Sequence, residues 1–95
     1  MTELKIIATI VAKADTDTEI YAALQAVVNG TRTEDGNKSY TLHRDTSNPL
    51  KYVIIEEWKS QSAIDTHNAS DHFQQFIKDI EGKLDYIDVT TIQAI

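Results

Sequence analysis

Residues 50–59 read LKYVIIEEWK and are the strongest predicted strand of the chain. The middle of this stretch is apolar on both faces, which is typical of a strand that is covered on both sides. The turn TSNP at residues 46–49 contains the only proline and connects it to a short predicted strand, SYTLHRD, at residues 39–45. Two strands joined by so short a turn predict an antiparallel hairpin.

A second strand with two apolar faces is predicted near the start of the sequence, at residues 4–13 (LKIIATIVAK). A helix is predicted to follow, because apolar residues then recur at helical spacing. Thr16 and Glu19 fit a capping box at its start, and Asn29 followed by Gly30 is the expected stop.

The second half of the chain predicts more helix and one last strand. Ser60 is the expected cap of a second helical stretch, whose apolar stripe loses its phase across residues 68–70. Ser70 looks like a fresh cap, so we expect two helical segments or a kink. Residues 86–95 (YIDVTTIQAI) are β-branched and alternating, which predicts the final strand.

The order strand, helix, strand, strand, helix, strand predicts an α+β fold of the ferredoxin-like, split βαβ type with an antiparallel sheet. The two strands with two apolar faces are expected at the centre and the others at the edges. Helices cover only one face of such a sheet, so Ile7 and Val11 would stay exposed on the other. A face-to-face homodimer that closes an α+β barrel would bury them. Pairing through a strand edge, or a covering terminus, is the alternative.

The composition narrows the class of protein. With 95 residues, 41% hydrophobic and 25% charged, the chain is predicted to be a single domain over residues 1–95. The absence of cysteine excludes disulfides, cysteine-ligated zinc, iron–sulfur clusters and thiol nucleophiles. The net charge of −6 and the scattered lysines and arginines argue against nucleic-acid binding. We expect no membrane span and no signal peptide, and hence a cytoplasmic protein with a small neutral or aromatic ligand or a protein partner.

A pocket is predicted beside the strongest strand, where Glu56 and Trp58 share one face with Tyr52. A carboxylate next to an indole and a phenol has to be solvated, paired or turned into a cavity. Aromatic walls with a few convergent polar groups are typical of small-molecule sites. The alternative is that Glu56 pairs with a lysine or arginine while Trp58 packs as ordinary core.

The three histidines are candidates for acid–base chemistry. A half-buried His67, in the second helical stretch, would suit proton abstraction from a phenolic substrate; the alternative is a helix-face histidine bonded to a neighbour. His72 follows five residues later, about 140° around an uninterrupted helix. The two are therefore predicted to be a poor metal pair, and we expect no metal site. His43, alone on a strand, is more typical of a structural residue.

Other familiar catalytic patterns do not occur in the sequence. The three glycines are isolated, so there is no glycine-rich phosphate loop, and no serine stands out as the nucleophile of a Ser-His-Asp arrangement. We therefore expect no protein-bound organic cofactor. The residues by themselves predict a small acidic α+β dimer with an aromatic pocket.

The chain resembles the antibiotic biosynthesis monooxygenase family, particularly its small members similar to quinol monooxygenases. The opening strand IIATIVAK, the segment TRTEDGNKSYTLHRD, then NPLKYVIIEEWKS and AIDTHNASDHFQQF carry the resemblance over most of the chain. Within them, TR-E-GN-SY-LH-D, E-x-W and H-x-x-S-x-H-F are fairly specific for the family, though not for one reaction.

This resemblance implies a dimeric α+β barrel that oxygenates a small phenolic or quinol-like aromatic with O₂, without flavin, haem or metal. It also implies roles for individual residues. His67 would be the base or an orienting group, Trp58 a wall of the pocket, as Tyr52 would be, and Glu56 a polar anchor. The remaining matched positions, as candidates for substrate binding, are Tyr40, His43, His72 and Phe73.

Two departures from the family limit this implication. Ile54 stands where the polyketide-tailoring branch has an asparagine, and the first strand has no asparagine of the kind found in the haem-degrading branch. The second departure argues against haem degradation. Two other functions stay open: an isomerase of small carbonyl metabolites that needs no O₂, and a ligand-binding or stress-related dimer without chemistry.

Overall fold

The computed structural model describes residues 3–95, whose helices and strands confirm the predicted order, with the second helical stretch divided in two. Among these residues, no helix combines the length and apolar character needed to cross a membrane. In chain order the elements are β1 (Leu4–Ala12), α1 (Asp17–Thr31), β2 (Asn37–Arg44), β3 (Lys51–Trp58), α2 (Gln61–Ala69), α3 (Asp71–Ile80) and β4 (Leu84–Ile92).

The strands form one antiparallel sheet in the order β2-β3-β1-β4. The two strands with two apolar faces are therefore central and the other two are edges, as predicted. Ala8 on β1 lies opposite Ile54 on β3 and opposite Val89 on β4. This arrangement confirms the ferredoxin-like βαββαβ fold.

The hydrophobic core lies between one face of this sheet and the helices. Every second residue of β1 from Ile6 to Ala12 is buried, and so is every second residue of β3 from Tyr52 to Trp58. The buried row of β3 includes one charged residue, Glu56. The apolar stripe of α1 that packs in this core comprises Ile20, Ala23, Leu24, Val27 and Val28.

The predicted capping box at the start of α1 is wrong. Thr16 is the N-cap residue, but its side chain makes no cap bond to the helix. Its Oγ1 instead donates to the carbonyl oxygens of Lys13 and Lys83, each 2.9 Å away. Since Lys83 directly precedes β4, this hydroxyl links the end of β1 to the start of the neighbouring strand.

Two glycines allow close helix approaches. Helix α1 ends at Thr31, one residue beyond the predicted stop at Gly30. A Cβ atom on Gly30 would lie 2.6 Å from Cγ of His72 on α3, so only glycine leaves room for that ring. A Cβ atom on Gly36 would lie 2.3 Å from the Cβ of Ala63, which admits α2 in the same way.

The break between α2 and α3 is made at Ser70. The backbone leaves the helical conformation there, at ψ 154°. The hydroxyl of Ser70 accepts from the backbone N–H of Phe73 at 3.3 Å and donates to the carbonyl of His67 at 2.6 Å. Ser60 caps α2 by accepting from the N–H of Ala63 at 3.2 Å. Both predicted serine caps are confirmed.

The outward face of the sheet carries large exposed apolar side chains. Ile7 and Ile55 lie opposite each other on the two central strands, and both are exposed. Tyr86 and Ile92 of β4 extend the same face, since they pair with residues of β1 whose side chains point outward. An exposed apolar face of this kind is a candidate interaction surface.

We expect the Ser70→Ala substitution to lower the free energy of unfolding by about 1–2 kcal/mol, because it removes a helix cap and a second hydrogen bond. Ser60→Ala, which removes one cap bond only, should cost about 1 kcal/mol. Urea denaturation followed by circular dichroism measures both. Equal stability of the Ser70→Ala variant and the wild type would contradict the assigned role of this hydroxyl.

Candidate functional site

A cavity of about 130 Å³ lies between the helix-facing side of the sheet and α3. Its walls are mostly apolar, and exposed residues of α3 and β4, Ile77 and Val89, stand among them, which places its opening on that side. The lining residues are Ile6, Ala8, Ile10, Tyr40, Ile54, Glu56, His67, Asn68, Phe73, Phe76, Ile77, Ile87 and Val89.

Glu56 is a buried carboxyl group in the wall of this cavity. Its side chain points inward because it belongs to the buried row of β3. The indole Nε1–H of Trp58, two residues along the same row, donates to Oε1 of Glu56 at 2.9 Å. Burial raises the pKa of Glu56 from 4.5 to about 7; the bond from Trp58 opposes this rise and the charge of Glu34 adds to it.

His67 lines the same cavity from α2 and is held on three sides. Its ring centroid lies 4.7 Å from those of Trp58 and Phe73 and 5.7 Å from that of Tyr40. Its Nδ1 lies 2.8 Å from Oε2 of Glu34. Burial lowers the pKa of His67, and the adjacent carboxylate of Glu34 only partly offsets this, so the imidazole is neutral at neutral pH.

The contact with Glu34 determines the tautomer of His67. A carboxylate accepts hydrogen bonds, so Nδ1 has to carry the proton of the neutral ring. The lone pair of His67 is then on Nε2, which is the ring nitrogen able to accept a proton from a molecule in the cavity. The carboxylate of Glu34 also stabilises the imidazolium that would form.

Glu34 is a site residue that reasoning from single residues missed, as is Asn68 in the cavity wall. Glu34 lies in the polar loop between α1 and β2, where no periodicity marks it; only the TR-E-GN segment contains it. Backbone hydrogen bonds fix its position, from its N–H to the carbonyl of Thr31 at 3.0 Å and from the N–H of Asn37 to its carbonyl at 3.1 Å. Its side chain is largely buried and bonds to two histidines.

The second of these histidines is His72, whose Nε2 lies 2.7 Å from Oε2 of Glu34. The expectation that His67 and His72 point in different directions is wrong. It assumes a rotation of 100° per residue along one helix, but the helix is interrupted at Ser70, so His67 and His72 belong to different helices. The two ring centroids are 6.0 Å apart. One ligand atom from each of Glu34, His67 and His72 lies within 4.8 Å of the others, so the three side chains converge on one point.

Other sequence-predicted residues lie around the same cavity. Tyr40 and Phe73 line it directly, whereas Trp58 is fully buried behind it and contacts the lining residues Glu56, His67 and Tyr40. Burial raises the pKa of the Tyr40 phenol, which therefore stays protonated. Glu56 faces the cavity, as the pocket hypothesis predicted, and Trp58 packs as core, as the alternative predicted. Glu56 accepts its hydrogen bond from the indole and not from a lysine or arginine.

Tyr52 and His43 are not brought to this cavity. Tyr52 is buried at the opposite end of β3, where its hydroxyl donates to Asp17 at 2.7 Å and accepts from Arg44 at 2.6 Å. His43 is exposed on β2, with Nδ1 3.2 Å from the carbonyl of Val53. Both line a separate surface hollow of about 220 Å³.

Comparison with known proteins supports the resemblance seen in the motifs. The family model described as "Antibiotic biosynthesis monooxygenase" matches residues 4–79. The chain is 34% identical over 59 residues to "Putative monooxygenase YcnE" of Bacillus subtilis, a match that spans 62% of each protein. It is 31% identical over 71 residues to "Putative monooxygenase Rv0793" of Mycobacterium tuberculosis, across 75% of this chain and 69% of that one.

Solved structures agree with this match over the whole chain. PA3566 from Pseudomonas aeruginosa superposes with a TM-score of 0.94 at 28% identity, covering 100% of this chain and 96% of the other. Rv0793 from Mycobacterium tuberculosis gives a TM-score of 0.94 at 26% identity, with 99% and 96% covered. A structure titled "Crystal structure of antibiotic biosynthesis monooxygenase" gives 0.92 at 29% identity, with 97% and 98% covered.

The raised pKa of Glu56 makes folding stability depend on pH with a defined sign. The fold favours the neutral carboxyl group, so this contribution is complete below pH 4.5 and is lost as the pH rises through about 7, a change of about 3 kcal/mol. Glu56→Gln cannot ionise and should lack this loss of stability over that range. Comparing urea denaturation of both proteins at several pH values measures the difference.

The comparison with Glu56→Gln isolates Glu56 from the other groups that face it. Across the cavity these are His67 and Tyr40; the charge of Glu34 acts from outside it, and Trp58 is the neutral hydrogen-bond donor. His67 contributes with the opposite sign, because its lowered pKa causes a loss of stability as the pH falls. A stability difference between wild type and Glu56→Gln that does not change with pH would contradict the burial of an ionisable carboxyl group at this position.

Proposed function

The chain belongs to the antibiotic biosynthesis monooxygenase family, and on this basis we propose that it oxidises a small phenolic or quinol-type aromatic with O₂, without a cofactor. The single observation that carries the proposal is an apolar cavity with a neutral imidazole and a carboxyl group of pKa about 7 in its wall. Binding the ring, removing its proton and excluding water are what such a reaction requires of a protein.

The walls of the cavity suit an aromatic ring. Ile6, Ile54, Phe73 and Phe76 supply apolar and aromatic surface, which favours burial of a flat apolar molecule. Of the lining residues that the structure describes, four have polar side chains: Tyr40, Glu56, His67 and Asn68. A substrate with one or two hydroxyl groups at one end would therefore meet hydrogen-bond partners there and apolar surface elsewhere.

Proton removal is assigned to Nε2 of His67, with Glu34 behind it. A phenol has a pKa near 10 in water and is a poor electron donor until it loses its proton. His67 accepts that proton on Nε2, and the carboxylate of Glu34, 2.8 Å from Nδ1, stabilises the resulting imidazolium. Glu56, with a pKa of about 7, serves as the polar anchor for the second hydroxyl group of the substrate. Its carboxyl group donates a hydrogen bond when protonated and accepts one when ionised.

The reaction balances without an external reductant when the substrate is a quinol. The phenolate gives electrons to O₂, and one oxygen atom forms a bond to a ring carbon that loses its hydrogen. The second oxygen atom leaves as water, and the substrate, which has supplied four electrons in all, becomes a hydroxylated quinone. The protein contributes proton transfer, orientation and a dry site.

Oxygen-electrode measurements with a panel of reduced naphthoquinols and anthrones test this proposal. The wild type should consume O₂ well above the spontaneous rate, and His67→Ala should lower kcat by at least about 100-fold, which is the usual contribution of a general base. Glu56→Gln should lower the rate as well. His43→Ala is the matched control, because His43 lies outside the cavity, and should behave like the wild type.

Two outcomes would contradict the oxygenase proposal. Turnover of a small keto compound without O₂ consumption would indicate an isomerase that uses the same acid–base pair. Ligand binding in the cavity with no acceleration of any quinol oxidation, and no effect of His67→Ala on rates, would indicate a binding protein.

A homodimer is the second part of the proposal. Ile7 and Ile55 face outward at the centre of the sheet, where a second copy packed face to face would bury them. We expect Ile55→Glu to weaken self-association by more than tenfold, since an unpaired charge buried in an interface costs about 2 kcal/mol or more. Ile77→Glu is the matched control, because Ile77 is 44% exposed and Ile55 is 42% exposed, but Ile77 lies on α3.

Sedimentation equilibrium of the wild type and both variants measures the dissociation constant of the dimer. A monomeric wild type, or equal association of all three proteins, would contradict the dimer.

A further inference from the structure

We propose that Glu34, His67 and His72 form a binding site for a late first-row divalent metal ion such as Zn²⁺. The three side chains offer two imidazole nitrogens and one carboxylate oxygen, all within 4.8 Å of one another. Two histidines and one carboxylate are a ligand set that binds zinc and its neighbours in the first transition series. The site adjoins the cavity through His67, which belongs to both.

The spacing of the ligand atoms is close to what a metal requires. Oε2 of Glu34 lies 2.8 Å from Nδ1 of His67 and 2.7 Å from Nε2 of His72. Ligands at about 2.0–2.1 Å from a tetrahedral metal are separated by about 3.3 Å. To bind a metal, Oε2 of Glu34 would move roughly half an ångström away from each histidine nitrogen. The two nitrogens, which lie no more than 4.8 Å apart, would close to the same spacing.

The fold builds this trio from three separate segments. Glu34 comes from the loop after α1, His67 from the last turn of α2 and His72 from the first turn of α3. The break at Ser70 turns His72 back toward His67, and Gly30 leaves the space that the His72 ring occupies. Two helices and a loop held by backbone hydrogen bonds give a site whose ligands converge before any metal arrives.

Access to the site comes from the side of His72. The side chain of His67 is 3% exposed and that of Glu34 is 13%, whereas that of His72 is 26% exposed. An ion approaching from solvent therefore meets His72 first and reaches the buried ligands next. Water on the exposed side would supply the remaining coordination position.

Metal binding has a consequence for His67 that rests on the proposed function. A metal on Nδ1 of a neutral imidazole leaves the ring proton on Nε2. The atom that accepts a proton from the substrate in the metal-free protein would then be a donor. Zinc should thus inhibit the oxidation by occupying the position of the Nδ1 proton, outside the cavity itself.

Isothermal titration of the chelator-treated protein with zinc chloride at neutral pH tests the binding site directly. We expect one zinc ion per chain, with binding at least about tenfold weaker in Glu34→Gln and in His72→Asn, since loss of even an outer contact costs 10–100-fold in metal affinity. Gly30→Ala keeps all three ligands but displaces His72, and should weaken binding too. His43→Asn removes an exposed histidine elsewhere and should bind as the wild type does.

Anomalous diffraction at the zinc edge from wild-type crystals gives a second readout that does not depend on the folding of any variant. A peak between Glu34, His67 and His72 would support the site. No saturable binding, equal affinity in all variants, or a peak only at His43 or on the surface would overturn it.

Inhibition by zinc is measured separately from zinc binding, through the rate of O₂ consumption. If the wild type consumes O₂ with a quinol, stoichiometric zinc should stop it and a chelator should restore it. Zinc bound at the trio without any effect on that rate would overturn the link to His67. A protein that binds zinc there but oxidises no quinol would contradict the proposed function and leave the metal site standing.

Discussion

A carboxyl group in a buried strand row is the constraint on which the site depends. Period-two alternation places Glu56 in the same inward row as Ile54 and Trp58, away from bulk water. An ionised carboxylate is costly there without partners, so the protein gives it the indole of Trp58 and a pKa of about 7. The space beside it is not filled by a large side chain and becomes the cavity.

The second carboxylate, Glu34, connects parts of the chain that the sheet does not. Its Oε2 atom accepts hydrogen bonds from His67 on α2 and from His72 on α3. Its backbone N–H donates to the carbonyl of Thr31 at the end of α1. Two helical segments and a loop are thus held by hydrogen bonds to a single charged group, and such bonds are stronger than neutral ones. The same geometry fixes the tautomer of His67, so the stability of this corner and the acid–base character of the cavity have one origin.

Much of the fold was predictable because period and caps are local signals. The two strands with two apolar faces are central, and Ser60 and Ser70 cap helices as predicted. Thr16 does not cap α1 because its backbone, at φ −113° and ψ 3°, is not in the extended conformation of a capping residue. Its hydroxyl donates instead to the carbonyl of Lys13 and to that of Lys83, which is distant in sequence. No local pattern reports such a partner.

The site was predictable only where strand alternation decides it. Glu56 faces the cavity as expected, but Tyr52, on the same face, is four residues away, about 13 Å along a strand, and lies in a different environment. The direction predicted for His72 holds only for a continuous helix, and the helix is interrupted at Ser70. Glu34 sits in a loop, and a loop residue acquires its role from the helices that pack against it.

The character of the cavity distinguishes between the functions that its acid–base pair could serve. A neutral imidazole and a carboxyl group near neutrality would also suit proton shuttling in an isomerase of small carbonyl compounds. Sugar-like substrates of that kind carry several hydroxyl groups, each of which needs a hydrogen-bond partner once it leaves water. The walls formed by Ile6, Phe73 and Phe76 offer none, whereas O₂ and an aromatic ring need none. The apolar majority of the lining therefore favours oxygenation of an aromatic over rearrangement of a polar metabolite.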